Sequence, residues 1–94
     1  MTTKVDFASQ PGKAGLSCET AGGAFWIWLD KSGNVTREVN CSPVAEFSAS
    51  HRAARQMEEV FATLRGSIAA YLNPTDTAEG ARMFWAIKDQ LRAA

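Results

Sequence analysis

The segment Ala24-Phe25-Trp26-Ile27-Trp28-Leu29, followed at once by Asp30-Lys31-Ser32-Gly33-Asn34, constrains this chain more than any other stretch. It is rich in aromatic and branched residues and apolar at every position, too short for a stable helix and suited to a strand covered on both faces. Glycine placed fourth in the loop after it fits a three-residue hairpin closed by a left-handed residue. With Lys31-Ser32-Gly33 as that loop, Leu29 faces Val35, Ile27 faces Arg37 and Phe25 faces Val39. Cross-strand partners share a face. Phe25, Ile27, Leu29, Val35 and Val39 therefore form an apolar face, and Trp26, Trp28, Thr36 and Glu38 lie on the other. A one-residue slip would exchange these sets, so the turn decides them.

The strand upstream, Leu16 to Thr20, is expected to join through a Gly22-Gly23 turn. That turn pairs Thr20 with Phe25, Cys18 with Ile27 and Leu16 with Leu29. It adds Leu16 and Cys18 to the apolar face and Ser17 and Glu19 to the outer one. Val5 and Phe7 predict a further strand through Gln10-Pro11-Gly12, and the strand order is read as a simple meander.

From residue 50 the period changes. Met57, Val60, Phe61, Leu64, Ile68 and Tyr71 recur at helical spacing, as do Gly80, Phe84, Ile87 and Leu91. Asn73-Pro74 ends the first helix, because a residue before proline is driven out of helical geometry. Ser48 or Ser50 is expected to cap that helix, and Thr75, Asp76 or Thr77 the second, with Glu79 in its first turn. The expected fold class is α+β. An antiparallel three- to four-stranded meander at 4–40 and a linker at 41–49 lead to an antiparallel helical hairpin at 50–72 and 76–93, in one domain spanning 1–94.

With 94 residues, a single core is the natural arrangement. Ten Lys and Arg balance ten Asp and Glu. Phosphate neutralisation usually brings a basic excess, so this balance disfavours a dedicated nucleic-acid binder. The sequence meets an acid at Asp6 where a signal peptide would need an apolar run, and it contains no membrane-length apolar stretch. The expectation is a soluble cytoplasmic protein with no membrane partner. Cys18 and Cys41 fall two strands apart in this register, too far for a disulfide.

The residues predict no enzyme. His51 is the lone histidine. It stands ten residues from Cys41 with nothing to orient it as a base. One histidine and two distant cysteines do not make a zinc site, and the glycines lack the strand–loop–helix setting of a phosphate cradle. No cofactor or metal is expected.

The expected binding surface is the outer sheet face, where Glu19, Trp26 and Glu38 should lie side by side across three strands with Ser17, Trp28 and Thr36 in the next row. Another element could cover these tryptophans and complete the core. Left open, they suit a protein partner with a basic patch, met through the glutamates. Single-stranded nucleic acid could stack there too, though Glu19 and Glu38 would repel phosphate. Trp85, a quarter-turn from Phe84, either closes the core or projects outward as a further contact. Ala62, Gly66 and Ala70 form a small-residue line, suited to packing within the helical hairpin or to a homodimer seam.

The functional expectation is a non-enzymatic protein-binding module that acts by occupying a surface, an inhibitor or adaptor. Small phage and mobile-element proteins that block host nucleases or defence complexes are of this general kind. The alternative is a nucleic-acid-binding accessory domain using Arg52, Arg55, Arg65, Arg82 and Arg92, or the tryptophan face.

Overall fold

A computed structural model describes residues 5–20, 23–41 and 47–93, with backbone alone at Thr20, Cys41, 47–51 and Ala93. Four strands, β1 (Val5–Gln10), β2 (Lys13–Thr20), β3 (Gly23–Asp30) and β4 (Val35–Cys41), precede two helices, α1 (Phe47–Leu72) and α2 (Thr77–Ala93). The strands form one antiparallel sheet in the order β1-β2-β3-β4. This is the expected α+β meander with a helical hairpin, and the strand built on Val5 and Phe7 is present.

The hairpin between β3 and β4 follows from one carboxylate. Asp30 Oδ1 accepts from the amides of Ser32 and Asn34, each at 2.9 Å, and Gly33 N–H donates to the Asp30 carbonyl at 3.1 Å. Gly33 closes the loop at φ 91°, a left-handed conformation that favours glycine. The register is the expected one throughout: Leu29 with Val35, Trp28 with Thr36, Ile27 with Arg37, Trp26 with Glu38 and Phe25 with Val39. In the β1–β2 turn, Gln10 faces Lys13 across Pro11 and Gly12, and Gly12 takes φ 83°.

The β2–β3 register departs from expectation. Thr20 pairs with Gly23, not Phe25, so Cys18 meets Phe25, Leu16 meets Ile27 and Gly15 meets Trp28. Every pair is moved by two, which leaves side-chain parity intact, and the Gly22 of the expected turn lies outside the described residues. Packing at Gly15 accounts for the choice. A Cβ there would stand 1.7 Å from the Ile27 carbonyl oxygen, so the strands approach more closely than any side chain at position 15 would allow.

Ala14, Leu16, Cys18, Phe25, Ile27 and Leu29 of the sheet are buried against Ala53, Met57, Phe61, Leu64, Ile68 and Leu72 of α1 and Ile87 of α2. Fully burying one such Leu, Ile or Phe side chain stabilises the fold by about 1.5–3 kcal/mol. The Cys18 thiol is free, and its burial pushes its pKa up. Helix α1 lies over β2 and β3, and α2 lies over β1. Strand β4 extends beyond this layer. Val39 consequently has the core-side parity but is 65% exposed, a correction to its expected place on the helix-covered face. Arg37 ties β4 to α1 by donating from both Nε and a terminal nitrogen to the Glu58 carboxylate, the latter bond at 3.0 Å.

The first helix begins at Phe47, so the backbone of Ser48 and Ser50 lies within it and not at the N-cap position expected for them. The second is capped by Asp76, whose Oδ1 accepts from the Glu79 amide at 2.8 Å. Glu79 reaches back to accept from the Thr75 amide at 2.8 Å and from its hydroxyl, a variant of the reciprocal capping box. The line Ala62, Gly66, Ala70 does not make the helix–helix contact. Ala62 and Gly66 are exposed, Ala70 is half-buried, and nothing stands within 4 Å of where a Gly66 Cβ would be. The hairpin closes instead through larger side chains, with Tyr71 and Phe84 rings 6.3 Å apart.

Two outcomes follow. Gly15→Ala should destabilise the protein by about 3 kcal/mol or more, measured by urea unfolding, because the obstructing atom is backbone. Hydrogen bonds lower the pKa values of Asp30, Glu58 and Glu79. A depressed folded pKa gives stability that is present above the unfolded value and is lost as pH falls through the folded one. The urea midpoint should therefore drop below about pH 4, and Asp30→Asn should flatten part of that drop.

Candidate functional surface

The outer sheet face carries Trp26 and Trp28, but the structure does not leave Trp28 open. It is 3% exposed. Across the strands its neighbours are Gly15 and Thr36, and the glycine leaves floor space for the indole. Lys13 lies over the ring with Nζ 4.7 Å from the centroid, and the same ammonium pairs with Glu38 Oε1 at 3.6 Å. Lys13 and Glu38 stand one row to either side of Trp28, so their ion pair crosses the ring diagonally. The pair is partly solvated and contributes at most about 1 kcal/mol by itself. Its larger effect is to place aliphatic stem and charge over the aromatic face. Trp28 Nε1 is buried without a hydrogen-bond partner among the described residues, which costs the fold about 1–3 kcal/mol.

The remaining expected contacts are distributed differently from the sequence reading. Trp26 is half-buried, between Ser17 and Glu38. Glu19 is exposed but sits opposite Ala24, so the row of Glu19, Trp26 and Glu38 does not form. The two-residue shift of β2 replaces Glu19 with Ser17 beside Trp26. Thr36 and Glu38 are both exposed. The glutamate expected to meet a basic partner already has an internal cation.

Trp85 projects outward and is 59% exposed. Only Val39 and Trp85 are exposed large apolar side chains among the described residues. Trp85 is seated edge-on against Phe84, centroids 5.3 Å apart, and Phe84 in turn meets Phe7 of β1 at 5.7 Å. Tyr71 completes this group, 5.2 Å from Phe7 and with its hydroxyl 3.1 Å from Ser9 Oγ. An aromatic chain thus runs from the β1 side of the core to a ring in solvent. At about 100° per residue, Arg82, Lys88, Asp89 and Arg92 all lie within about 60° of Trp85 on α2. Lys88 Nζ lies 5.6 Å from the Phe84 centroid, and Arg92 pairs loosely with Asp89 at 3.9 Å. The surface around Trp85 is therefore net basic. Sequence periodicity placed Trp85 at the edge of the stripe, and only the packing of Phe84 under β1 decides that its neighbour points out.

The pairing of Cys41 with His51, rejected on sequence, falls on side chains outside the described ones. Among the described residues, no group of three His, Cys, Asp or Glu could hold a metal ion, and no helix is long and apolar enough to cross a membrane. Comparison with protein-family models, curated proteins and solved structures finds no match to this chain.

The two tryptophan environments predict opposite mutational outcomes. Trp28→Ala should cost about 3–5 kcal/mol in chemical denaturation, as for a buried aromatic. Trp85→Ala should change stability by less than about 1 kcal/mol.

Proposed function

We propose that this chain is a non-enzymatic protein-binding module that acts by occupying a partner's surface through the Trp85 face of α2. The observation that carries this reading is a tryptophan more than half exposed, braced from behind by Phe84 and surrounded by Arg82, Lys88 and Arg92. A braced ring loses little conformational freedom on binding, and Trp and Arg are the residues most enriched at interface hot spots. The cations favour a partner presenting carboxylates around an apolar pocket. The outer sheet face would contribute through Trp26, Thr36 and Glu38, but Lys13 holds Glu38 and covers Trp28, which weakens the case for a basic partner there. Small size and a single presented anchor suit an inhibitor or adaptor, the role that phage and mobile-element proteins play against host nucleases and defence complexes.

The same cations around an open ring support a second reading, stacking of single-stranded nucleic acid on Trp85. Affinity capture from source lysate, wild type against Trp85→Ala, separates the readings when paired with oligonucleotide titrations. A protein retained by wild type and lost with Trp85→Ala, at a cost of about 2 kcal/mol or more in binding, is the expected result. Capture indifferent to Trp85 would reject the module as described. Oligonucleotide binding that weakens steeply with salt and needs Trp85 would favour the nucleic-acid reading.

A further inference from the structure

We propose that the free edge of β4 pairs with the same strand of a second copy, joining two sheets about a twofold axis. This pairing involves β4 alone and is independent of the Trp85 face.

The ladder phase fixes what the edge offers. Asp30 N–H donates to the Asn34 carbonyl at 3.0 Å, so Asp30 and Asn34 form a hydrogen-bonded pair. In an antiparallel ladder such pairs alternate with pairs whose backbone groups point away. The uninterrupted register from Asn34 onward therefore turns the N–H and C=O of Val35, Arg37 and Val39 to the outer edge of β4. Among the described residues no strand takes them, because β4 is the last strand of the sheet.

Proteins guard such edges with free charges, prolines, bulges or covering elements. Here both charges of the strand, though more than half exposed, are paired within the molecule, Arg37 with Glu58 on α1 and Glu38 with Lys13 on β2. The strand contains no proline and no bulge. The helical layer covers β1, whereas on β4 Val35 packs against the core and Val39 is left 65% exposed on the helix side. The opposite edge, β1, carries exposed Asp6 in mid-strand and has α2 over it, so it is the guarded edge.

The strand is also complementary to itself. Turned about an axis through Arg37, the antiparallel pairing sets Val35 against Val39 of the second copy and Thr36 against Glu38 of the second copy. Val35, Arg37 and Val39 are the residues with outward backbone groups, so every hydrogen-bonded pair of the joint ladder is supplied. Arg37 meets Arg37 of the second copy, each already neutralised by its own Glu58. The two valine pairs lie on the helix side, one to either side of the Arg37 pair, and cover the exposed Val39. Such pairs stabilise an antiparallel ladder, whereas a register centred on Glu38 would oppose two carboxylates at the closer, non-hydrogen-bonded spacing.

The test is sedimentation equilibrium of the full chain with Val39→Lys and Val39→Pro. The proline removes a donor that faces the outer edge and none that pairs with β3. Wild type should sediment at twice the 10.2 kDa chain mass, and both variants at the chain mass with unchanged circular dichroism. Should the proline variant not fold, the lysine variant at this exposed site carries the test alone. A wild-type monomer at its highest soluble concentration would overturn the proposal. So would a dimer that survives Val39→Lys, or one that Gly66→Leu alone dissolves, since that would assign the seam to Ala62, Gly66 and Ala70.

Discussion

The Asp30 carboxylate sets the frame on which the rest of the molecule depends. By accepting from the amides of Ser32 and Asn34 it holds a three-residue loop closed, and Gly33 supplies the one left-handed residue that loop requires. That closure fixes which residues of β3 and β4 face each other. Side chains alternate with period two, so it also fixes which face becomes core. Shift the loop by one residue and Val35 and Val39 move beside Trp26 and Trp28, while Arg37 loses its alignment with Glu58. The helical layer has something to pack on because Phe25, Ile27 and Leu29 emerge together on one side.

The two sides of the sheet then acquire different physics. On the helix side, dispersion and burial around Leu16, Ile27, Leu64, Ile68 and Ile87 dominate, and polar groups such as Arg37 with Glu58 pair at the margin. On the other side the buried ring is Trp28, with Trp26 half-buried beside it. Trp28 lies over the bare backbone of Gly15 and beneath the Lys13–Glu38 pair. Among the described residues amphipathic side chains cover it, since their stems are apolar and their charged ends remain in water. The unpartnered Nε1 shows the limit of that solution, because a lysine has no acceptor to offer an indole N–H.

The helices divide the remaining surface. They cover β1 through β3, and that offset leaves two apolar groups exposed at opposite margins: Val39 on the edge strand and Trp85 on the outside of α2. Neither is a packing failure of the core. Val39 stands beyond the reach of α1, and Trp85 is displaced because Phe84 fills the space against Phe7 and Tyr71. A twofold dimer through β4 would bury the first margin and present the second twice, an arrangement that raises avidity for a repeated or symmetric partner.

The local sequence by itself determined the α+β class, the order of elements, the Asp30 hairpin and its register, the helical stripes and the capping of α2. Each of these depends on interactions within a few residues: a side chain bonding its own turn, a glycine taking positive φ, an apolar repeat matching a helical period. Tertiary structure decided what depends on distant segments. The β2–β3 register moved by two because Gly15 fits against β3 where a bulkier residue cannot, a contact no local turn signal encodes. Glu19 consequently left Trp26, and Lys13, which no sequence pattern links to Trp28, came to cover it. The exposure of Val39 and Trp85 came from where the helical layer ends and from which of two adjacent aromatic rings β1 accepts. These are questions of shape across the whole fold, and periodicity along the chain carries no information about them.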